Sequence, residues 1–373
     1  MAGIYPIKSL ACLVEEHSDV SLLSSDRSIT SYRRPSNINI RGKKKAFLET
    51  FKREAGAEVI TPEVQHWQLS DATTIDQGII ITASGFVVEE SLADYPKELS
   101  NERFDIRNEK IYIHSEKIDE GSSGSFLKKR GQTNFGHWIV ELLTKHYFLK
   151  EVRKKDIQAI VHHAQHDFLK DMYVDSLSLL DTPANAVQRV GYNHTVVPVL
   201  DYVTGISQHP YRKSYMLKNM RDHIVSNIEK ECWEEVEAEG LKIFVTRNIT
   251  HKRNIINIEE VESYFSSKGY VFVEPQSLSF IEQVNLFSKA SVVVGIMGAA
   301  MCNAIWANAN CNVGYIASEA MDGKFYYDQE SALGRSNFNL LNCERTKTSS
   351  SLLDDIKVDM NELKAWLADV ENS

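Results

Sequence analysis

No run of apolar residues in this 373-residue chain reaches the roughly 18 to 20 that a helix needs to cross a bilayer. The opening MAGIYPIKSLACLVEEHSD is too short in its apolar part and too acidic for a signal peptide, so the expected location is the cytoplasm. Cysteine is scarce. Cys12, Cys232, Cys302, Cys311 and Cys343 form no Cys-x-x-Cys pair and leave one over, which argues against a disulfide framework or a thiolate zinc site. They read as small buried apolar residues. Positive charge is also short: 42 Lys and Arg against 51 Asp and Glu give a formal charge of −9, which excludes a general nucleic-acid binder. The Gly-x-Gly-x-x-Gly of dinucleotide sites does not occur, and no Asp-x-Asp stands at a strand end to carry a metal-bound diphosphate. The histidines of VHHAQH, residues 161–166, lack a carboxylate at ligand spacing, so no metal site is expected there.

What is present is enough apolar material, 43% of the chain, for two cores. The first third is irregular. RRPSNINIRGKKK (33–45) is basic and turn-rich, a surface segment that is either simply solvated or offered to anionic lipid. QGIIITASGFVVEES (77–91) and KIYIHSE (110–116) have strand composition, and DEGSSGS (119–125) is a connector. From residue 133 the pattern sharpens: Phe135, Trp138, Ile139, Leu142 and Leu143 fall at helical spacing, with Thr133 or Asn134 as N-cap. Strands at IQAIVHH, VQRVG and TVVPVLDYV alternate with a helix at HDFLKDMYVDSLSLL, the signature of a parallel sheet covered by helices.

Residues 209–240 read as a long charged helix closed by Gly240. A second βαβαβ unit follows, with strands at LKIFVTR, YVFVEP, SVVVGIM and NVGYIAS and helices between them. The expected domains are 1–208, 209–350 and a last amphipathic helix within 351–373, marked by Ile356, Met360, Leu363, Leu367 and Val370, packing back on the first domain. Two Rossmann-like halves would then face each other across a cleft, where the carboxyl ends of their strands hold ligands.

Candidate residues concentrate at such ends. In GIMGAA (295–300) glycines flank a strand-to-helix turn, which either admits an anion to the helix N-terminus or merely allows tight packing. Arg247 ends the strand LKIFVTR and Lys252 and Arg253 follow in the next loop, a cation set suited to a diphosphate or a plain solvated loop. His137 stands in the first turn of its helix with Glu141 and Lys145 on the same flank, placed either for proton transfer from a sugar hydroxyl or for packing. Ser279 with Glu282, and Asn257 with Glu260, read as capping boxes.

NFGHWIVELL, VTRNITHKRNIINIEEV and SLSFIEQVNLFSKASVVVGIMGAAMCNAIWA together resemble glycosyltransferase family 61, in three ordered blocks over roughly residues 133–310. The resemblance implies an α/β fold of GT-B type and an inverting, metal-independent transfer from a nucleotide sugar, a UDP-sugar first, with no further cofactor. The acceptor it implies is a glycan or lipid-linked glycan of a bacterial capsule, lipopolysaccharide or similar surface polymer, built at the inner face of the membrane. Arg247 and Arg253 match the family's arginines near the donor diphosphate, with Lys252 beside them. Gly298, Ala299 and Asn303 match its donor turn, Gln283 its helix glutamine, and Asn134, Gly136 and His137 its acceptor-side block. Two positions depart from the pattern: Met297 replaces a histidine before the Gly-Ala pair, and Tyr315 stands where an acidic residue is expected, with Glu319 just beyond to hold a ribose. A pyruvyl- or phospho-sugar transferase, and a non-catalytic nucleotide-sugar binder, are the competing readings.

Overall fold

The computed structural model describes residues 3–26, 31–43, 48–114, 118–164, 166–208, 212–230, 240–246, 253–346 and 354–373. The fold is mixed α/β and divides into two compact units, one of residues 1–29 and 62–207, the other of 30–61 and 208–373.

In the first unit four strands run parallel in the order Val187–Val190, Ala159–His162, Gly124–Leu127, His194–Thr204. The chain steps outward from Gly124–Leu127 through the first two crossovers and then returns on its other side. That reversal marks Gly124–Leu127 as a topological switch point, where loops diverge and leave a crevice. The long strand Val64–Ile75 pairs antiparallel with His194–Thr204 and leads into an extension of the same sheet that is antiparallel except where Gly3–Lys8 pairs parallel with Val87–Val88. The expected strands within 77–91 and 110–116 are there, as Ile79–Ile81, Val87–Val88 and Lys110–Ile113.

The second unit has a parallel sheet in the order Val271–Val273, Leu241–Val245, Ala290–Ile296, Asn312–Ser318, Asn337–Arg345. Numbered along the chain this is 2-1-3-4-5, a doubly wound order whose switch point lies between Leu241–Val245 and Ala290–Ile296. Val245 pairs with Gly295 and Gly295 with Tyr315, so the loops after these strands leave one sheet edge side by side. Helices Ile258–Ser267 and Met360–Glu371 cover one face. Val261, Phe265, Leu363, Trp366 and Leu367 pack there on Phe244, Val294 and Ile316. Gly314 is required by that packing, because a Cβ would stand 2.7 Å from the Trp366 ring.

Three expectations need correction. The last helix does not return to the first unit; its apolar stripe is buried on the sheet of the second, which is the surface that excludes it from water. RRPSNINIRGKKK is not a loose surface segment over its described part. Asn37–Gly42 adds a strand parallel to Asn337–Arg345, while Arg34 pairs with Asp328, Arg41 with Asp369 and Lys43 with Glu344. With those cations engaged, the lipid-contact reading loses its basis there, and Lys44 and Lys45 lie outside the described residues. The helix expected over 209–240 is described as Met216–Lys230, preceded by a short strand at Arg212–Lys213.

Candidate functional site

At the switch point of the second unit a small recess of about 60 Å³ opens beside Phe244, Val245, Thr246, Arg253, Ile258, Glu262 and Ile296. Arg253 has φ +58, the left-handed region that side chains other than glycine seldom adopt and that costs about 1–2 kcal/mol. The next residues are fastened elsewhere: Asn254 donates from its backbone N and from Nδ2 to Asp355, and Asn257 exchanges two bonds with the Val358 backbone. So Asn257 reaches the Glu260 side chain but makes no side-chain bond to the helix backbone, and the capping box expected there is not formed, whereas Ser279 and Glu282 do form theirs.

Arg253 Nη1 donates to the Met297 carbonyl over 3.2 Å, which joins this loop to the end of Ala290–Ile296. Its Nε is buried and has no hydrogen-bond partner among the described residues. An unpartnered buried guanidinium N–H is expensive unless something polar completes it.

Beyond Met297 the chain turns at Gly298 into a 3₁₀ helix, Ala299–Trp306. Gly295 fits this corner because a Cβ would stand 2.7 Å from the Met301 sulfur and 2.9 Å from Val245 Cβ. The first N–H groups of the helix, on the partly exposed Ala299 and Ala300, are those a helix leaves without an internal partner.

In the first unit, Gly124–Leu127 runs through Lys128–Thr133 into the helix begun by Asn134, whose Oδ1 accepts from Gly136 N at 2.9 Å. Trp138–Leu143 then widens to π-helical geometry, a form that occurs mostly as short bulges and often at functional sites. His137 Nδ1 lies 2.8 Å from Glu141 Oε1, and the other Glu141 oxygen is held by Lys129, which also pairs with Asp94 at 2.7 Å. A carboxylate that accepts from an ammonium is an acceptor on its second oxygen too. His137 therefore donates from Nδ1 to Glu141. Gly131, at φ +82, lies against the His137 ring, with a virtual Cβ 3.2 Å from Cδ2. Beside this chain of charges, burial and the Lys129 cation push the Lys145 ammonium down to about 8, against the pull of Glu141 and Asp94. Its Nζ rests over the Tyr202 ring at 4.7 Å. Lys128, buried under the same loop and bonded to the Gly191 carbonyl, is lowered to about 7 by burial.

Residues 135–314 match the family model Glycosyltransferase 61. The chain carries a glycosyltransferase family 61 domain. It is a glycosyltransferase, an enzyme that binds a sugar donor and an acceptor. A search of curated proteins finds no match.

The expected residues of this glycosyltransferase do not all meet in one place. Arg253, Gly298 and Ala299 meet at the switch point of the second unit, and His137 with Glu141 at that of the first. Asn303 and Gln283 are buried and turned inward. The Asn303 amide bonds Ala300 O and the Trp306 indole and braces the turn from within, whereas Gln283 Nε2 donates to Leu278 O at the start of its own helix. Glu319 follows the end of Asn312–Ser318 and is paired with Arg345 at 3.4 Å. Asn134 and Gly136 form the helix cap. Arg247 and Lys252 lie outside the described residues.

The Met297 departure has a packing reason. Its side chain is fully buried, and its methyl group lies in the same nook as Phe51 and Phe338 around Gly323, so position 297 points into the core and away from the recess. Residue-by-residue reading missed Lys129, Asp94 and Tyr326. Only the basic run KKR at 128–130, just ahead of the helix, was a signal for the first.

Proposed function

We propose that this glycosyltransferase transfers a sugar from a nucleotide-activated donor, with a UDP-sugar the first to try, to a glycan or lipid-linked acceptor of a surface polysaccharide. The transfer inverts the anomeric carbon without a metal ion, on a GT-B scaffold whose second unit holds the donor. One observation carries the reading: Arg253 is held in a left-handed conformation at a 2-1-3-4-5 switch point, with a buried Nε that lacks a partner among the described residues. Ligands of doubly wound sheets bind at that place, and a guanidinium with an unused N–H fits a diphosphate oxygen. The N–H groups at Ala299 and Ala300 add the positive end of a helix to the same edge.

On the acceptor side, His137 takes the proton of the attacking hydroxyl at Nε2, while Glu141, braced by Lys129, keeps the ring in the required tautomer and steadies the imidazolium that forms. As the bond to the departing diphosphate breaks, its growing negative charge is met by Arg253 and the helix start, which act best with water excluded. The test is Arg253→Ala against a panel of nucleotide sugars. Turnover with the preferred donor should drop about 10²- to 10³-fold, the size typical of one lost donor to a developing charge. A variant with wild-type turnover would defeat the assignment.

A further inference from the structure

Tyr326 lies beyond the segment that matches the family model. It sits fully enclosed in helix Lys324–Ala332, and its hydroxyl donates to the Gly298 carbonyl over 2.8 Å. Burial holds the phenol well above its usual range, so it stays a neutral donor. The same carbonyl accepts from Met301 N at 2.9 Å in the first turn of Ala299–Trp306. Four residues on, Glu330 accepts from the Tyr315 hydroxyl at 2.6 Å and from Arg335 Nη1 at 2.8 Å. Arg335 Nη2 in turn donates to the carbonyls of Ala304 and Ala307, at 2.6 and 2.8 Å. Tyr326 and Glu330 share one helix face. They hold the two ends of the 3₁₀ helix.

In a trans peptide the carbonyl and the following N–H point in opposite directions. Fixing the Gly298 carbonyl on a buried phenol therefore turns the Ala299 N–H away from the core. The Met297 carbonyl is fixed in the same way by Arg253, so both peptide planes of the corner are set by side chains before any ligand arrives. We propose that Tyr326 is a positioning residue for the donor: its hydroxyl fixes the Gly298–Ala299 peptide so that the Ala299 N–H is presented to a diphosphate oxygen. The proposal rests on the donor site described in the preceding subsection.

The test titrates UDP calorimetrically into the wild type, Tyr326→Phe and Tyr327→Phe, and follows amide exchange over residues 299–303 in the unliganded proteins. Tyr327→Phe is the control. It removes a neighbouring buried hydroxyl that donates to the Phe51 carbonyl at 3.3 Å, away from the turn. Tyr326→Phe should bind UDP about five- to tenfold more weakly, the size of one neutral hydrogen bond, and exchange faster at Met301, whose N–H shares the Gly298 carbonyl. Tyr327→Phe should match the wild type in both. Unchanged UDP affinity in Tyr326→Phe, or equal weakening in Tyr327→Phe, overturns the proposal. If the wild type itself does not bind UDP, the donor reading fails separately and exchange alone decides: faster exchange at Met301 supports the positioning role, and an unchanged rate overturns it.

Discussion

His146 has to stay uncharged. It is fully buried, its Nε2 lies 2.7 Å from Thr182 Oγ1, its Nδ1 has no partner among the described residues, and burial together with the Lys150 charge pushes its pKa down to about 3. An unfolded histidine titrates near 6.5. Between those values the unfolded chain binds a proton that the native chain refuses, so stability falls on acidification by about 1.4 kcal/mol per pH unit. His162, lowered to about 4 chiefly by burial, adds to the same trend over the upper part of that window. Urea unfolding at pH 6.5 and 4.5 measures it. The wild type should lose stability between the two, and His146→Gln should lose about 2–3 kcal/mol less over the same interval. Equal losses in both proteins would mean that His146 is already protonated in the native state.

At the scale of elements, the final helix shows what periodicity conveys and what it withholds. Its apolar stripe required a partner surface, but the stripe has no preference between two sheets; the cavity over Gly314 settles that choice by admitting Trp366. Trp366→Ala should therefore cost about 3–5 kcal/mol, read from chemical unfolding, as expected for a large side chain removed from a closed core. A loss below about 1 kcal/mol would show that the helix is only laid on the sheet. Much else at this scale was legible. The run of strands and helices from Leu241 to Ser318 follows period-2 and period-3.6 patterns that depend on near neighbours, and the convergence of the loops after Val245 and Ile296 follows from it. Asn37–Gly42 was not legible as a member of the sheet, because its pairing partner is 300 residues away and its alternation of Asn, Ile and Arg reads equally well as a polar surface. The π-helical geometry around Glu141 was hidden for another reason: apolar spacing does not separate an i→i+5 ladder from an α-helix, and that ladder accompanies the contact between Glu141 and Lys129.

At the scale of the whole molecule, the chain passes from one compact unit to the other near residues 29, 61 and 207. Two of the segments that enter the second unit end on one buried carboxylate. Asp328 accepts from the Tyr32 hydroxyl at 2.9 Å, from Arg34 Nη1 at 2.6 Å and from the Lys213 backbone N at 2.6 Å, with Lys213 Nζ 3.6 Å away. Asp328 belongs to the helix whose Tyr326 and Glu330 hold the Ala299–Trp306 turn, so entry points and candidate donor turn are fastened to a single nine-residue element. Asp328→Asn keeps the shape but removes the charge that offsets Arg34 and Lys213, and leaving buried cations without their partner typically costs about 3–5 kcal/mol. Hydrogen exchange locates the loss as well as sizing it. Protection should fall in helix Lys324–Ala332, in strand Ser31–Arg33 and in the turn at 299–306, while strand Ala159–His162 of the first unit keeps its wild-type rate. Uniform loosening of both units would instead mean that Asp328 supports global stability and does not tie the entry segments to the turn.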